Sequence, residues 1–149
     1  MRVIQLSPDS IMQHWEIIEK AITSALTCSA GESNAYQYLK HFSNNYYQCW
    51  AVISNTEEII NITVTKVNHY DTHKSLHLLI TTSVGHNKWE DYKEAHHTIE
   101  QYARDQGCKR IEMYGRRGWS RVLNKLSGSK KEKYKEVYVV HSMELKNEL

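Results

Sequence analysis

The sequence withholds most of the signals that announce a function outright. Its three cysteines, Cys28, Cys49 and Cys108, are odd in number and scattered, which excludes a disulfide framework and the paired spacing of a structural zinc site. Reduced thiols in a cytosolic protein are the simplest account. No apolar run approaches the roughly 20 residues that cross a bilayer, and the opening Met1-Arg2-Val3-Ile4-Gln5-Leu6 lacks the long apolar core of a secretory signal. A cytoplasmic location without a membrane partner is therefore expected. Neither sign of charge dominates: 19 lysines and arginines against 17 aspartates and glutamates leave a formal net charge of +2, too little to draw the chain to nucleic acid. A nucleotide-type glycine loop, a serine elbow and a histidine-glutamate zinc helix are also missing, so the other common enzyme classes have no foothold. Repeats, low-complexity tracts and linkers are absent, and 149 residues suit a single domain over 1–149 with one site.

What is present is a clear alternation of periods. Arg2 to Leu6 alternates as a strand and stops at Ser7-Pro8-Asp9, where serine caps a helix and proline fits its first turn. From Ile11, the residues Trp15, Ile18, Ile22 and Leu26 recur at helical spacing, and Asn34 to Phe42 predicts a second, shorter helix. Gln48 to Ser54 and Ile59 to Asn68 are β-branched and aromatic around a turn at Asn55-Thr56-Glu57-Glu58. After a second turn at residues 69–73, Ser75 to Thr82 carries three consecutive apolar residues, Leu78-Leu79-Ile80, which predicts a central strand buried on both faces. A helix over Asn87 to Gln106 ends at Gly107, as a left-handed cap requires. Then come a strand to Tyr114, a short helix over Trp119 to Leu126, a charged loop from Ser127 to Lys133, and a last strand over Tyr134 to Leu145. The expected fold is α/β (α+β), in the order β-α-α-β-β-β-α-β-α-β, with a mixed central sheet of about six strands and helices on both faces.

This order covers nearly the whole chain and resembles the GNAT acyl-CoA N-acyltransferase superfamily. The most specific stretch runs from Ser75 to Leu126. Within it, Gly107-Cys108-Lys109-Arg110-Ile111-Glu112-Met113-Tyr114-Gly115-Arg116-Arg117-Gly118-Trp119 is similar to the helix end, fifth strand and following helix of GNAT-like proteins of tailed bacteriophages. The resemblance implies acetyl-CoA as cofactor, its pyrophosphate over the amides between the fourth strand and the next helix and its pantetheine arm where the fourth and fifth strands splay. A helix N-terminus suits an anion because its first N–H groups are unsatisfied. The corresponding residues here are Val84, Gly85, His86, Asn87 and Lys88. GNAT enzymes usually set an Arg or Gln there, a glycine three residues on, and a further Gly or Ala; this loop has Gly85 alone.

Acetyl transfer to an amine needs a base, oxyanion donors and an acid for the leaving thiolate. Candidates lie on the fourth and fifth strands. His77 is either a base or a deprotonated core residue. Glu112 and Tyr114 share one face of the fifth strand, as a base and acid pair or as solvent-facing side chains. The family's acid tyrosine lies on the following helix, which has none here, so Tyr114 and Tyr134 substitute by proximity. Arg116 and Arg117, between glycines and beside Trp119, form either a phosphate or planar-partner clamp or a solvated turn. Lys125, Lys130, Lys131, Lys133 and Lys135 alternate with Glu132 and Glu136, which reads as a solubilising segment. Of the nine histidines, His96 and His97 point about 100° apart on a helix, and His69 and His73 have no spaced partners, so no metal site is expected. Two functions remain: an acetyl-CoA-dependent N-acetyltransferase acting on a small-molecule or protein amine, or a non-catalytic bacteriophage protein of the same fold, virion-associated or host-interacting, with a phage or host protein as partner.

Overall fold

A computed structural model of the chain describes residues 1–29, 31–85, 92–115, 118–129 and 131–146. Strand β1 (Arg2–Leu6) leads into α1 (Pro8–Gln13), whose first turn is capped by the Ser7 hydroxyl accepting from the Ser10 amide at 3.2 Å. The predicted apolar stripe is carried by two helices, because the chain breaks at His14 before α2 (Trp15–Leu26). His14 turns its ring Nδ1 onto the Ser10 carbonyl at 2.9 Å, and its own carbonyl receives the Ile18 amide. Helix α3 (Ala35–Ser43) starts where the Asn34 side chain accepts from the Gln37 amide.

Strands β2 (Tyr47–Ile53), β3 (Ile59–His69) and β4 (Lys74–Ser83) form the antiparallel meander, with β1 on the outer edge of β2. Helix α4 (Lys93–Asp105) crosses over to β5 (Arg110–Met113), which pairs parallel to β4 from Ser75↔Arg110 to Leu78↔Met113. This is the expected crossover between neighbouring parallel strands; residues 87–91 of the predicted helix lie outside the described residues. The helix closes in a Schellman arrangement: Gly107 has φ +75°, its amide reaches the Arg104 carbonyl, and the Cys108 amide reaches the Ala103 carbonyl. Helix α5 (Trp119–Leu126) follows.

Helices α1, α2 and α3 cover one face, where Ile11, Ile18, Ile22 and Phe42 meet Ala51, Ile62, Val64 and Ile80. On the other, Ile99, Ala103 and Leu123 of α4 and α5 meet Trp50, Leu76 and Leu78. Each of the isoleucines and leucines among them, like Val64 and Phe42, stabilises the fold by roughly 1.5–3 kcal/mol when fully buried. The run Leu78-Leu79-Ile80 is buried on both faces for a reason that alternation alone does not supply. Val64 pairs with Ile80 and Thr65 with Leu78, so Leu79 is the extra residue of a β-bulge. Leu78 therefore stays with the α4 face while Leu79 and Ile80 join the α1–α3 face.

One expected element does not form. Among the described residues the sheet has five strands in the order β1-β2-β3-β4-β5, and residues 134–145 carry no strand. The Asn124 side chain takes both backbone groups of Tyr134, donating to its carbonyl at 3.0 Å and accepting from its amide at 2.7 Å. Val137, Tyr138, Val139 and Val140 then run on exposed. β-branched composition favours a strand only where a ladder partner and a packed face exist.

Candidate active site

The parallel contact of β4 with β5 ends at Leu78↔Met113, whereas β4 continues to Ser83 against β3 alone. Beyond that point β4 has lost its neighbour on this side: the strand edge facing β5 has no ladder partner among the described residues, a feature that suits an extended, amide-bearing ligand.

Alternation places His77 and Glu112, which are register partners, on the face of the sheet shared with α1–α3. Tyr114 stands on the same face, its ring centroid 4.4 Å from that of His77. Three of the four candidate catalytic residues thus come together. The fourth, Tyr134, packs with Trp50 and Leu123 beneath α4 and α5, and burial raises its phenol well above the usual range.

Several partners of this cluster come from β3 and its flanks. The Tyr70 hydroxyl donates to Glu112 Oε2 at 2.8 Å, and the Asn68 amide donates to the Tyr70 oxygen at 3.4 Å. Lys66 is the register partner of His77. Tyr46, at the entry to β2, joins Lys66, Asn68, Tyr70, His77 and Tyr114 around a solvent-open cavity of about 450 Å³. None of Tyr46, Lys66, Asn68 or Tyr70 stood out in the sequence, yet a signal existed. The turn that folds the Tyr70 amide onto the His73 carbonyl fixes the hairpin register, and counting back along both strands sets Lys66 opposite His77.

His77 is 7% exposed. Burial first, and the nearby Lys66 charge second, push its pKa from 6.5 down to about 4, against the opposing pull of Glu112. It is a neutral imidazole at neutral pH, and its buried Nδ1 has no hydrogen-bond partner among the described residues. A buried ring nitrogen left without a partner is costly unless a ligand or water completes it. The Tyr114 phenol is drawn down by its hydrogen bond with Tyr138, but burial, Tyr70 and Glu112 together outweigh that and hold it above its ordinary range. The hydrogen bond to Glu112 raises Tyr70 in the same way.

At the expected anion loop the outcome is divided. The Val84 amide donates to the Ile60 carbonyl at 2.9 Å, so it extends the sheet and is not available to an anion, contrary to expectation. Gly85 has φ +91°, a conformation that favours glycine. His86, Asn87 and Lys88 lie outside the described residues, as do Arg116 and Arg117 of the expected clamp. A Cβ on Gly115 would come within 2.8 Å of the Trp119 ring, so glycine there leaves room for the ring.

No family model and no curated protein matches the chain. Solved structures do. A crystal structure of a probable acetyltransferase superposes with a TM-score of 0.71 at 11% identity, over 97% of this chain and all of that one. An aminoglycoside acetyltransferase, meta-AAC0020, from an uncultured soil metagenomic sample and in complex with sisomicin, gives 0.64 at 8% identity over 96% of both chains. A ribosomal-protein-alanine N-acetyltransferase from Brucella melitensis biovar Abortus 2308 gives 0.61 at 5% identity, over 95% of this chain and all of that one. The likeness is one of fold: the chain has the GNAT-like mixed α/β topology, a central sheet with helices on both faces.

Proposed function

We propose that this protein is an N-acetyltransferase that uses acetyl-CoA and acts on an amine. The observation that carries the reading is the placement of His77, Glu112 and Tyr114 on one face at the point where β4 and β5 part, in a fold shared with acetyltransferases. The unladdered edge of β4 beyond Leu78 and the left-handed Gly85 fit the cofactor's extended arm and phosphates, with Val84 contributing no donor. When bound, acetyl-CoA supplies an activated acetyl thioester. His77, uncharged at neutral pH, presents an imidazole nitrogen that can take the amine proton, and Glu112 beside it stabilises the imidazolium so formed. Tyr70 holds the Glu112 carboxylate by a 2.8 Å hydrogen bond. Tyr114, whose hydroxyl is hydrogen-bonded to Tyr138 and Tyr70, would exchange its bond to Tyr70 for a developing anion where β4 and β5 part. Calorimetric titration of the full chain with acetyl-CoA, followed by thiol release in the presence of amines, tests the reading; His77→Gln should keep acetyl-CoA binding and lose thiol release.

A second reading is a non-catalytic bacteriophage protein of this fold that binds a phage or host protein. The partner-binding part of this reading is supported by the exposed run from Val137 to Val140, with Met143 and Leu145, because exposed apolar surface marks partner sites; the bacteriophage origin rests on the sequence resemblance alone. This second reading requires that acetyl-CoA produce no heat.

A further inference from the structure

The cavity beneath His77 has a charge pattern that bears on which amine it receives. Lys66 is half-buried and forms no ion pair among the described residues; its recorded contact is the Tyr46 ring, 5.5 Å from the ammonium nitrogen to the centroid. The carboxylate nearby, Glu112, is 17% exposed and already engaged, by the Tyr70 hydroxyl at 2.8 Å and the Arg110 Nε at 4.0 Å. Among the described residues the cavity therefore holds a cation without a counter-charge, beside a buried imidazole nitrogen without a hydrogen-bond partner. Taking a charge part-way out of water is unfavourable until an opposite charge answers it.

Resting on the acetyl-transfer reading, we propose that the acceptor is a small amine that also carries a carboxylate, which Lys66 receives while the amine nitrogen lies against His77 and Glu112. Lys66 is then the residue that sets specificity. The Asn68 amide supplies a further donor for the carboxylate. Tyr46 and Tyr114 form the walls against which a short aliphatic link can lie. A diamine is disfavoured in the same cavity, since its second ammonium meets Lys66 with no uncommitted carboxylate among the described lining residues to receive it. The carboxylate has a further effect: it offsets the Lys66 charge that depresses the His77 pKa, so the acceptor raises the basicity of the group that takes its proton.

γ-Aminobutyrate and putrescine differ chiefly in having a carboxylate or a second ammonium at the far end, and they are the probes. The full chain is titrated with each while the imidazole and phenol resonances of His77 and Tyr114 are followed by NMR, and thiol release is measured with acetyl-CoA present. The expected result is that γ-aminobutyrate shifts both resonances and is preferred by at least about tenfold. Lys66→Glu should reverse the preference, and Lys66→Arg, with an unchanged thermal melt, should keep it. Equal or better use of putrescine by the wild type, an unchanged preference in Lys66→Glu, or no resonance shift with either probe overturns the proposal. The two readings fail separately. Acetyl-CoA binding with putrescine as the better acceptor removes the specificity and leaves acetyl transfer standing. γ-Aminobutyrate bound at His77 by a chain that ignores acetyl-CoA keeps Lys66 as an anion receiver and removes acetyl transfer.

Discussion

Acidification below about 6.5 should destabilise this protein, because the fold buries two uncharged imidazoles. His96 on α4 is 4% exposed and His77 on β4 is 7% exposed. Burial is the first cause in each case, reinforced by His97 for His96 and by Lys66 for His77, and both pKa values fall from 6.5 to about 4. In the unfolded chain each histidine takes up a proton below 6.5; in the folded chain it does so only near 4. Between those values the unfolded state binds more protons, so stability falls as pH falls, and below about 4 the effect is complete. Each imidazole contributes a slope of about 1.4 kcal/mol per pH unit within the window, or about 3 kcal/mol over the whole of it. Urea denaturation at half-unit steps of pH, with NMR titration of both imidazoles, measures this directly. His96→Gln should remove about half of the slope. An unfolding free energy that stays flat from neutral pH to about 4.5, or a His96 that titrates near 6.5, would refute the burial argument. The exposed Arg2–Glu57 pair does not confuse the test. Its hydrogen bond lowers the Glu57 pKa below 4.5, so its contribution is lost only at more acid pH.

Other consequences are local. Glu100 on α4 accepts from the Ser127 hydroxyl at 3.1 Å and the Gly128 amide at 2.9 Å, so Glu100→Ala should cost about 1–3 kcal/mol in denaturation and free the C-terminal end of α5 in amide exchange. Gly107→Ala places a side chain at φ +75° and should cost about 1–2 kcal/mol by the same assay, because the Schellman closure of α4 needs that conformation. Gly85→Val, at φ +91°, should weaken acetyl-CoA binding in calorimetry with the circular dichroism spectrum retained. A variant that binds as well as wild type removes Gly85 from the cofactor loop.

Much of the architecture was legible because periodicity and punctuation agreed. The helical spacing of Ile18 and Ile22, the glycine past α4 and the polar turn between β2 and β3 each named an element that the structure contains. The break at His14 was not legible, since the apolar spacing runs through it, and its ring-to-carbonyl hydrogen bond leaves no local composition signal. The bulge at Leu79 was half legible: three apolar residues in a row announced burial on both faces, but alternation could not say which residue was extra. Tyr134 to Leu145 reads as a strand in composition, and the reading failed because the segment has no ladder partner among the described residues, the Tyr134 backbone being bonded to the Asn124 side chain instead. The site followed the same rule. Strand alternation and neighbouring positions brought His77, Glu112 and Tyr114 together, whereas Lys66, Asn68 and Tyr70 enter only once the register of the β3–β4 hairpin is counted back from its turn, and Tyr46 enters at the start of β2, which no alternation pattern singled out.

The account stands or falls on whether the parted β4 and β5 receive acetyl-CoA for chemistry at His77. Calorimetric titration of the full chain with acetyl-CoA, repeated with His77→Gln, measures this most directly when thiol release is read in the same samples. The account expects saturable binding to both proteins and amine-dependent thiol release by the wild type alone. Absence of binding at millimolar acetyl-CoA, or undiminished thiol release by His77→Gln, would contradict it.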